Sequence, residues 1–266
     1  MTDPGRSPNE NPLPRLEAMT FGMILDRAVN LYFRNFGLLF GIMAVSQVIN
    51  QINYVIWAGT MQGTVYVPAF VYTPVYYLVN LLTMAVGTGA VTIAISSRYL
   101  GREITILQSY RIALRKLWTL LGARIVAGLL VGLGFMLLVI PGILLAVAFS
   151  LITPVVMLED ASAGTSRERS RELTAGFRWQ IFALFLIYYI VYWLITLVFG
   201  SLLVALTGLI LPAFLGAPSV ARLLLAPLLI LMTPIWALFT VLIYYNQRIK
   251  KEGFDLAVLA EALVRE

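Results

Sequence analysis

The chain has 266 residues, of which 60% are hydrophobic and 12% charged. A soluble domain carries about a quarter charged residues, so an aqueous surface cannot be built from this supply. Cysteine and histidine are absent, which excludes disulfides, thiolate- or imidazole-bound metals, thiol nucleophiles and histidine relays; no cofactor is expected.

Residues 1–18 (MTDPGRSPNENPLPRLEA) are polar, hold four prolines and lack the apolar stretch of a signal peptide. They read as a short disordered tail. A transmembrane domain is expected over 19–250 and a cytoplasmic C-terminal helix over 251–266. Four runs are free of charge: 35–97, 125–158, 179–221 and 223–247. A bilayer core about 30 Å thick takes about 20 apolar residues per helical span. The first run holds two helices, near Phe36–Ala58 and Val71–Ile95, joined by Gly59–Thr64. The second holds two if the first helix begins near Trp118 and the chain turns at Pro141-Gly142. Gln180–Phe199 and Leu224–Tyr245 supply two more. Gly200–Ala221, broken by Gly208, Pro212, Gly216 and Pro218, reads as a helical extension with an outer loop or as a re-entrant piece. The expected fold is therefore all-α, with six transmembrane helices arranged as three hairpins.

Of 19 Lys and Arg, 18 fall within 1–34, 98–124, 167–178 or 248–265. An even number of spans between basic segments puts all four on one side, and the positive-inside rule makes both termini cytoplasmic. The net charge of +6 thus points to the anionic inner leaflet rather than to nucleic acid. Each hairpin follows a basic segment that ends in an aromatic residue: Asp26–Phe36, Gln108–Trp118 and Arg169–Trp179. An interfacial helix feeding each hairpin explains the pattern, and so does a plain basic connector.

Four places carry a family likeness. They are Ile24-Leu25-Asp26-Arg27 with Arg34-Asn35-Phe36; Pro141-Gly142 with Pro154 and Glu159; Arg169-Ser170 with Leu173, Gly176 and Trp179; and the segment Lys251–Leu256. Over most of residues 20–258 the chain resembles bacterial membrane proteins grouped around the glycerophosphodiester phosphodiesterase membrane domain. One departure is Asn246, where the resemblance leads one to expect Asp. In larger relatives the membrane part is fused to a soluble barrel that performs the phosphodiester chemistry. The resemblance here covers the membrane module alone, and implies a protein of the bacterial cytoplasmic membrane rather than an enzyme.

Two groups of residues are candidates for function. Gln47, Asn50, Gln51 and Tyr54 share one face of the first span. Tyr72, Tyr76 and Asn80 share one in the second, and Tyr188, Tyr192 and Thr196 one in the fifth. They either wall a cavity for an amphiphile's headgroup or hydrogen-bond between helices, with an outer tyrosine belt. In the second group, Arg124 and Glu159 stand nearly equidistant from Pro141-Gly142. They are expected to pair across the hairpin, offsetting the cost of an Arg inside the membrane boundary. The alternative is a lipid phosphate bound by Arg124 with Arg167, Arg169 and Arg171. Glu159 and Asp160 alone do not specify a metal site or a reaction. No carboxylate lies within an expected span, which disfavours ion-coupled pumping.

The expectation is thus a non-enzymatic multi-pass protein that handles or moves a lipid or other amphiphile, or supports envelope homeostasis. The competing expectation is an assembly or scaffold subunit of a larger membrane complex. Membrane lipids are the expected partners, with a membrane-protein partner or a second copy for the scaffold.

Overall fold

The computed structural model describes residues 19–210 and 217–253. The expected tail 1–18 and residues 254–266 of the expected C-terminal helix lie outside them. The described residues form ten helices and no strand: α1 (Phe21–Arg34), α2 (Phe36–Met61), α3 (Ala69–Tyr99), α4 (Ile106–Arg115), α5 (Leu117–Leu137), α6 (Val139–Ala148), α7 (Ile152–Glu159), α8 (Thr165–Thr174), α9 (Arg178–Ile210) and α10 (Ala217–Glu252).

Six helical stretches are long and apolar enough to cross a membrane: Phe36–Met61, Ala69–Tyr99, Leu117–Leu137, Val139–Glu159, Arg178–Ile210 and Leu223–Glu252. Phe36–Met61, Ala69–Tyr99, Arg178–Ile210 and Leu223–Glu252 run past the expected spans. Helical backbone satisfies its own hydrogen bonds, so a helix stops where the sequence stops it rather than where charge begins. The 33 residues of α9 extend about 50 Å at 1.5 Å per residue, well beyond one bilayer core. Residues 200–210 accordingly continue α9 as a helical extension, and 211–216 lie outside the described residues. Lys251 and Glu252 close α10 rather than opening a separate helix.

The short helices begin with clear local signals. Thr20 caps α1 by accepting from the Met23 N–H at 3.5 Å. Thr105 and Gln108 form a reciprocal capping box at the start of α4, satisfying two backbone donors that a helix start leaves open. α1, α4 and α8 directly precede α2, α5 and α9.

Consecutive long helices pack against each other, α2 on α3, α5 on α6 and α9 on α10, and α10 also touches α1, α2, α3 and α8. Burial concentrates at one end of the bundle. There Ile24 and Ala28 of α1, Leu39 and Ile42 of α2, Ala90 and Ala94 of α3, Leu173 of α8, and Leu238 and Leu242 of α10 form one core. Small residues bring α2 and α3 together: a Cβ on Gly87 would lie 2.3 Å from the Ser46 hydroxyl oxygen. Elsewhere the helices present apolar side chains outward, among them Leu129, Leu133, Trp193, Leu194 and Val198. A water-exposed protein does not leave so large an apolar surface uncovered.

The second apolar run departs from expectation in two ways. Its turn falls at Leu138, which has an extended backbone (φ −161°, ψ 153°), and Pro141-Gly142 lies inside the first turn of α6. Proline is tolerated there because first-turn N–H groups have no intrahelical partner. The return limb is also broken, at Phe149–Leu151, into α6 and α7. Moving the turn toward the N-terminus moves the residue opposite Arg124 from Glu159 to Thr153.

Candidate functional site

Arg124 does not pair with Glu159. Its Nη2 donates to the Thr153 hydroxyl at 3.1 Å, and among the described residues it forms no ion pair. The displaced turn is the reason, since Thr153 is the residue nearly equidistant from Leu138. Lys116, at the start of the same limb, donates to the Met157 carbonyl at 2.7 Å and to that of Val156 at 3.4 Å, and pairs with Asp160. A cation at a helix C-terminus is favourable, and Asp160 ends α7 in the left-handed region (φ 55°).

Glu159 instead joins a ring of charges that ties α7 and α8 to the end of α10. Arg169 Nε donates to Glu159 Oε2 at 3.0 Å and Nη2 to Oε1 at 3.4 Å. Arg169 also bonds Glu252 and lies 3.6 Å from Glu172. Arg248 Nε donates to Glu252 at 3.0 Å and sits 3.8 Å from Glu159. The Tyr244 hydroxyl donates to Glu159 Oε1 and accepts from Arg248, each at 3.1 Å. Burial opposes the charge on Arg169, but hydrogen bonds and attraction from Glu159 and Glu252 outweigh it and raise its pKa above the usual arginine value. Arg248, Glu252 and Tyr244 were missed from sequence. Their i, i+4 spacing on α10 was the available signal.

Arg167 and Arg171 stand two residues either side of Arg169, which places them on the opposite face of α8. Arg171 is exposed and Arg167 half-buried. The expected cluster of Arg124, Arg167, Arg169 and Arg171 is therefore not assembled at one point.

Polar contacts join α2 and α3, centred on a residue outside the expected stripe. Asn53, absent from the expected stripe, is the residue at the centre: its Nδ2 donates to the Tyr76 carbonyl at 3.1 Å, and its Oδ1 accepts from the Tyr72 hydroxyl at 2.9 Å. Trp57 donates to Thr73 at 3.3 Å and stacks on Tyr76 with ring centroids 4.9 Å apart. Asn80 donates to the Tyr76 carbonyl of its own helix at 2.9 Å. Asn50 is buried and its Oδ1 has no hydrogen-bond partner among the described residues, while Gln47 and Gln51 are half-buried. Tyr192 lies on α9, stacked on Tyr188 with centroids 6.0 Å apart.

Asn246, the departure from the resemblance, is fully buried and grips the peptide at the entrance to α1. Its Oδ1 accepts from the Met19 N–H at 2.7 Å and its Nδ2 donates to the Met19 carbonyl at 3.2 Å. An aspartate accepts the first bond but cannot donate the second.

A basic cleft of about 440 Å³ opens between α1 and the end of α3, lined by Met23, Asp26, Arg27, Asn30, Leu31, Arg34, Arg98 and Tyr99. The six α1 residues follow helical spacing along one face, while Ile24, Ala28 and Tyr32 pack the other into the core. Three guanidinium groups share the cleft with one carboxylate. Arg98 has Glu103 at 4.0 Å, but its Nε is buried without a hydrogen-bond partner among the described residues. Arg27 lies over the Tyr99 ring, 5.8 Å from its centroid. A second cleft, about 410 Å³, runs between α6 and α9 and is lined by Ile140, Ile143, Leu144, Val147, Trp179 and Phe182, with Arg178 as its one charged residue.

No family model matches the chain, and no match was found among the curated proteins or the solved structures.

Proposed function

We propose that the chain is a non-enzymatic protein of the bacterial cytoplasmic membrane that binds and handles an anionic lipid or similar amphiphile. It is inserted as three helical hairpins with both termini cytoplasmic. The observation that carries this reading is the basic cleft between α1 and α3. Among the described residues lining it, Arg27, Arg34 and Arg98 meet Asp26 as the one carboxylate; Arg98 also has Glu103 at 4.0 Å, and its buried Nε lacks a partner among the described residues. An arginine fork fits a phosphate with paired, charge-assisted hydrogen bonds. Three of them facing one carboxylate leave an excess of positive charge that a phosphate headgroup neutralises.

The site differs from the one expected at Arg124, Arg167, Arg169 and Arg171. Arg169 already has Glu159, Glu172 and Glu252 for partners, and Arg124 has Thr153. The described residues that bring three arginines into one cleft are those of α1 and the end of α3. The segregation of basic residues to one side of the apolar runs supports the orientation, and the likeness to a membrane module supports the localisation.

Lipid retained by the purified protein tests the reading. Native mass spectrometry after extraction in a mild detergent is expected to find anionic phospholipid on the wild type. Occupancy should fall at least fivefold in the double variant Arg27→Gln, Arg98→Gln, and hold in Arg167→Gln, Arg171→Gln. Equal occupancy in all three, or a loss caused only by the α8 pair, contradicts the assignment.

The scaffold reading is favoured by α9, whose Leu186, Ile190, Trp193, Leu197 and Leu202 are all exposed. A stoichiometric membrane protein that copurifies with the chain, and is lost when these positions are changed, would support that alternative.

A further inference from the structure

Between Ile125 and Phe149 no side chain is polar, and the tip of the α5–α6 hairpin lies inside this stretch. Met136, Leu137, Leu138, Val139 and Ile140 are each more than half exposed there. A tip that emerged into water would hold all of this apolar surface against it. The connector from α2 to α3, by contrast, carries Gln62, Thr64 and Tyr66.

The reach of the hairpin is short. The Ser170 hydroxyl donates to the Ala148 carbonyl at 2.7 Å and accepts from the Leu151 N–H at 3.2 Å. The break between α6 and α7 therefore lies directly beside α8. Five residues of that helix are charged: Arg167, Glu168, Arg169, Arg171 and Glu172. Each would cost about 2.5–3.5 kcal/mol at mid-membrane, so α8 sits outside the hydrocarbon. Beyond the break only the ten residues of α6 extend further, about 15 Å at 1.5 Å per residue. That is half of a core about 30 Å thick. Arg178 and Trp179 line the same cleft as Ile140, Ile143 and Leu144. A charge and an interface-seeking aromatic thus flank α6 from the start of α9.

Two backbone hydrogen bonds span the turn. The Leu138 N–H donates to the Gly134 carbonyl at 3.0 Å, and the Leu138 carbonyl accepts from the Gly142 N–H at 3.4 Å. Pro141 contributes no N–H to the open first turn of α6. The two limbs meet closely, because a Cβ on Gly134 would stand 3.0 Å from Gly142 Cα.

We propose that the α5–α6 hairpin is re-entrant. It enters a single leaflet from the side of α8, turns at Leu138 among the acyl chains, and leaves on the side it entered. Its partner surface is the lipid of that leaflet. A re-entrant hairpin returns the chain to the same side as a crossing one, so the distribution of basic residues is the same for both. The inference rests on the membrane-integral reading above and is independent of the headgroup site.

The chain has no cysteine, so single spin labels can be placed without further change. Ile125, Leu129, Leu133 and Leu137 lie on one exposed face of α5. Each is changed to Cys, labelled and measured in phospholipid vesicles for collision with oxygen and with a water-soluble nickel chelate. The oxygen-to-nickel ratio is expected to rise steadily along the series, severalfold from Ile125→Cys to Leu137→Cys. A ratio that peaks at Leu129 or Leu133 and falls back at Leu137 marks a crossing hairpin and overturns the proposal, as does a flat, water-like series. Labels at Val48 and Ile52, exposed on α2, separate the two claims. If they too are shallow, the membrane-integral reading fails and takes the hairpin with it.

Discussion

Arg124 and Arg169 are rival main partners for Glu159, with Arg248 a further 3.8 Å contact, and a double-mutant cycle distinguishes the two. Equidistance from Pro141-Gly142 pairs Glu159 with Arg124, whereas the structure gives it two bonds from Arg169 at 3.0 and 3.4 Å. The side chains of this pair are 27% and 16% exposed, so solvent screening is limited but present. A charge-assisted hydrogen bond contributes about 1.5–3 kcal/mol, and an exposed ion pair about 0–1 kcal/mol. Arg169 keeps Glu252 and Glu172 when Glu159 is lost, which lowers the coupling further. A coupling of about 1–2 kcal/mol is therefore expected between Glu159→Gln and Arg169→Gln. Between Glu159→Gln and Arg124→Gln the effects should add to within about 0.5 kcal/mol, as for residues without shared partners. Reversible unfolding in mixed detergent micelles supplies all the free energies. Coupling above about 1 kcal/mol with Arg124, or none with Arg169, refutes the displaced turn at Leu138 and the charge ring built on it.

Further substitutions test other contacts. Asn246→Asp removes the donor to the Met19 carbonyl, and Asn246→Leu removes both bonds. Costs of about 1–3 kcal/mol are expected, larger for Leu, read as a fall in unfolding midpoint. Gly87→Ala places a methyl group 2.3 Å from the Ser46 hydroxyl oxygen and should cost about 1–3 kcal/mol by overpacking. Adding Ser46→Gly should recover part of that loss in the same unfolding assay. Asn53→Leu leaves the Tyr72 hydroxyl without its acceptor and should destabilise by about 1–3 kcal/mol while leaving lipid occupancy unchanged. A loss of bound lipid in Asn53→Leu would revive a headgroup cavity between α2 and α3.

The coarse architecture was legible because charge is so unevenly spread. Runs such as 35–97 leave no choice but apolar helices, and six such stretches are present. The position of the second turn was not legible. Pro-Gly marks a turn in water-exposed sequence, but Pro141 also suits the first turn of a helix, and local sequence cannot decide between them. That three-residue error carried Arg124 to the wrong partner. The polar residues of α2 were identified by type and spacing, yet Asn53 rather than Gln47 or Gln51 makes the interhelical bonds. Which side of a helix faces its neighbour is set by packing, as at Gly87 against Ser46. The charge ring was hidden for another reason: Glu159, Arg169 and Arg248 are brought together by three separate helices. The α1 cleft lay nearer to hand, since Asp26, Arg27, Asn30 and Arg34 already follow one helical face in the sequence.

Photocrosslinking in membranes tests the lipid site most directly. Vesicles are loaded with an anionic phospholipid carrying a photoreactive group beside its phosphate, irradiated with the protein, and the adducts are mapped by mass spectrometry. Adducts concentrated on Met23, Asn30, Leu31 and Tyr99, and lost with Arg27→Gln, Arg98→Gln, are the predicted result. Adducts centred on α8 around Arg167 and Arg171, or on Asn50 and Asn80, would contradict a headgroup site between α1 and α3.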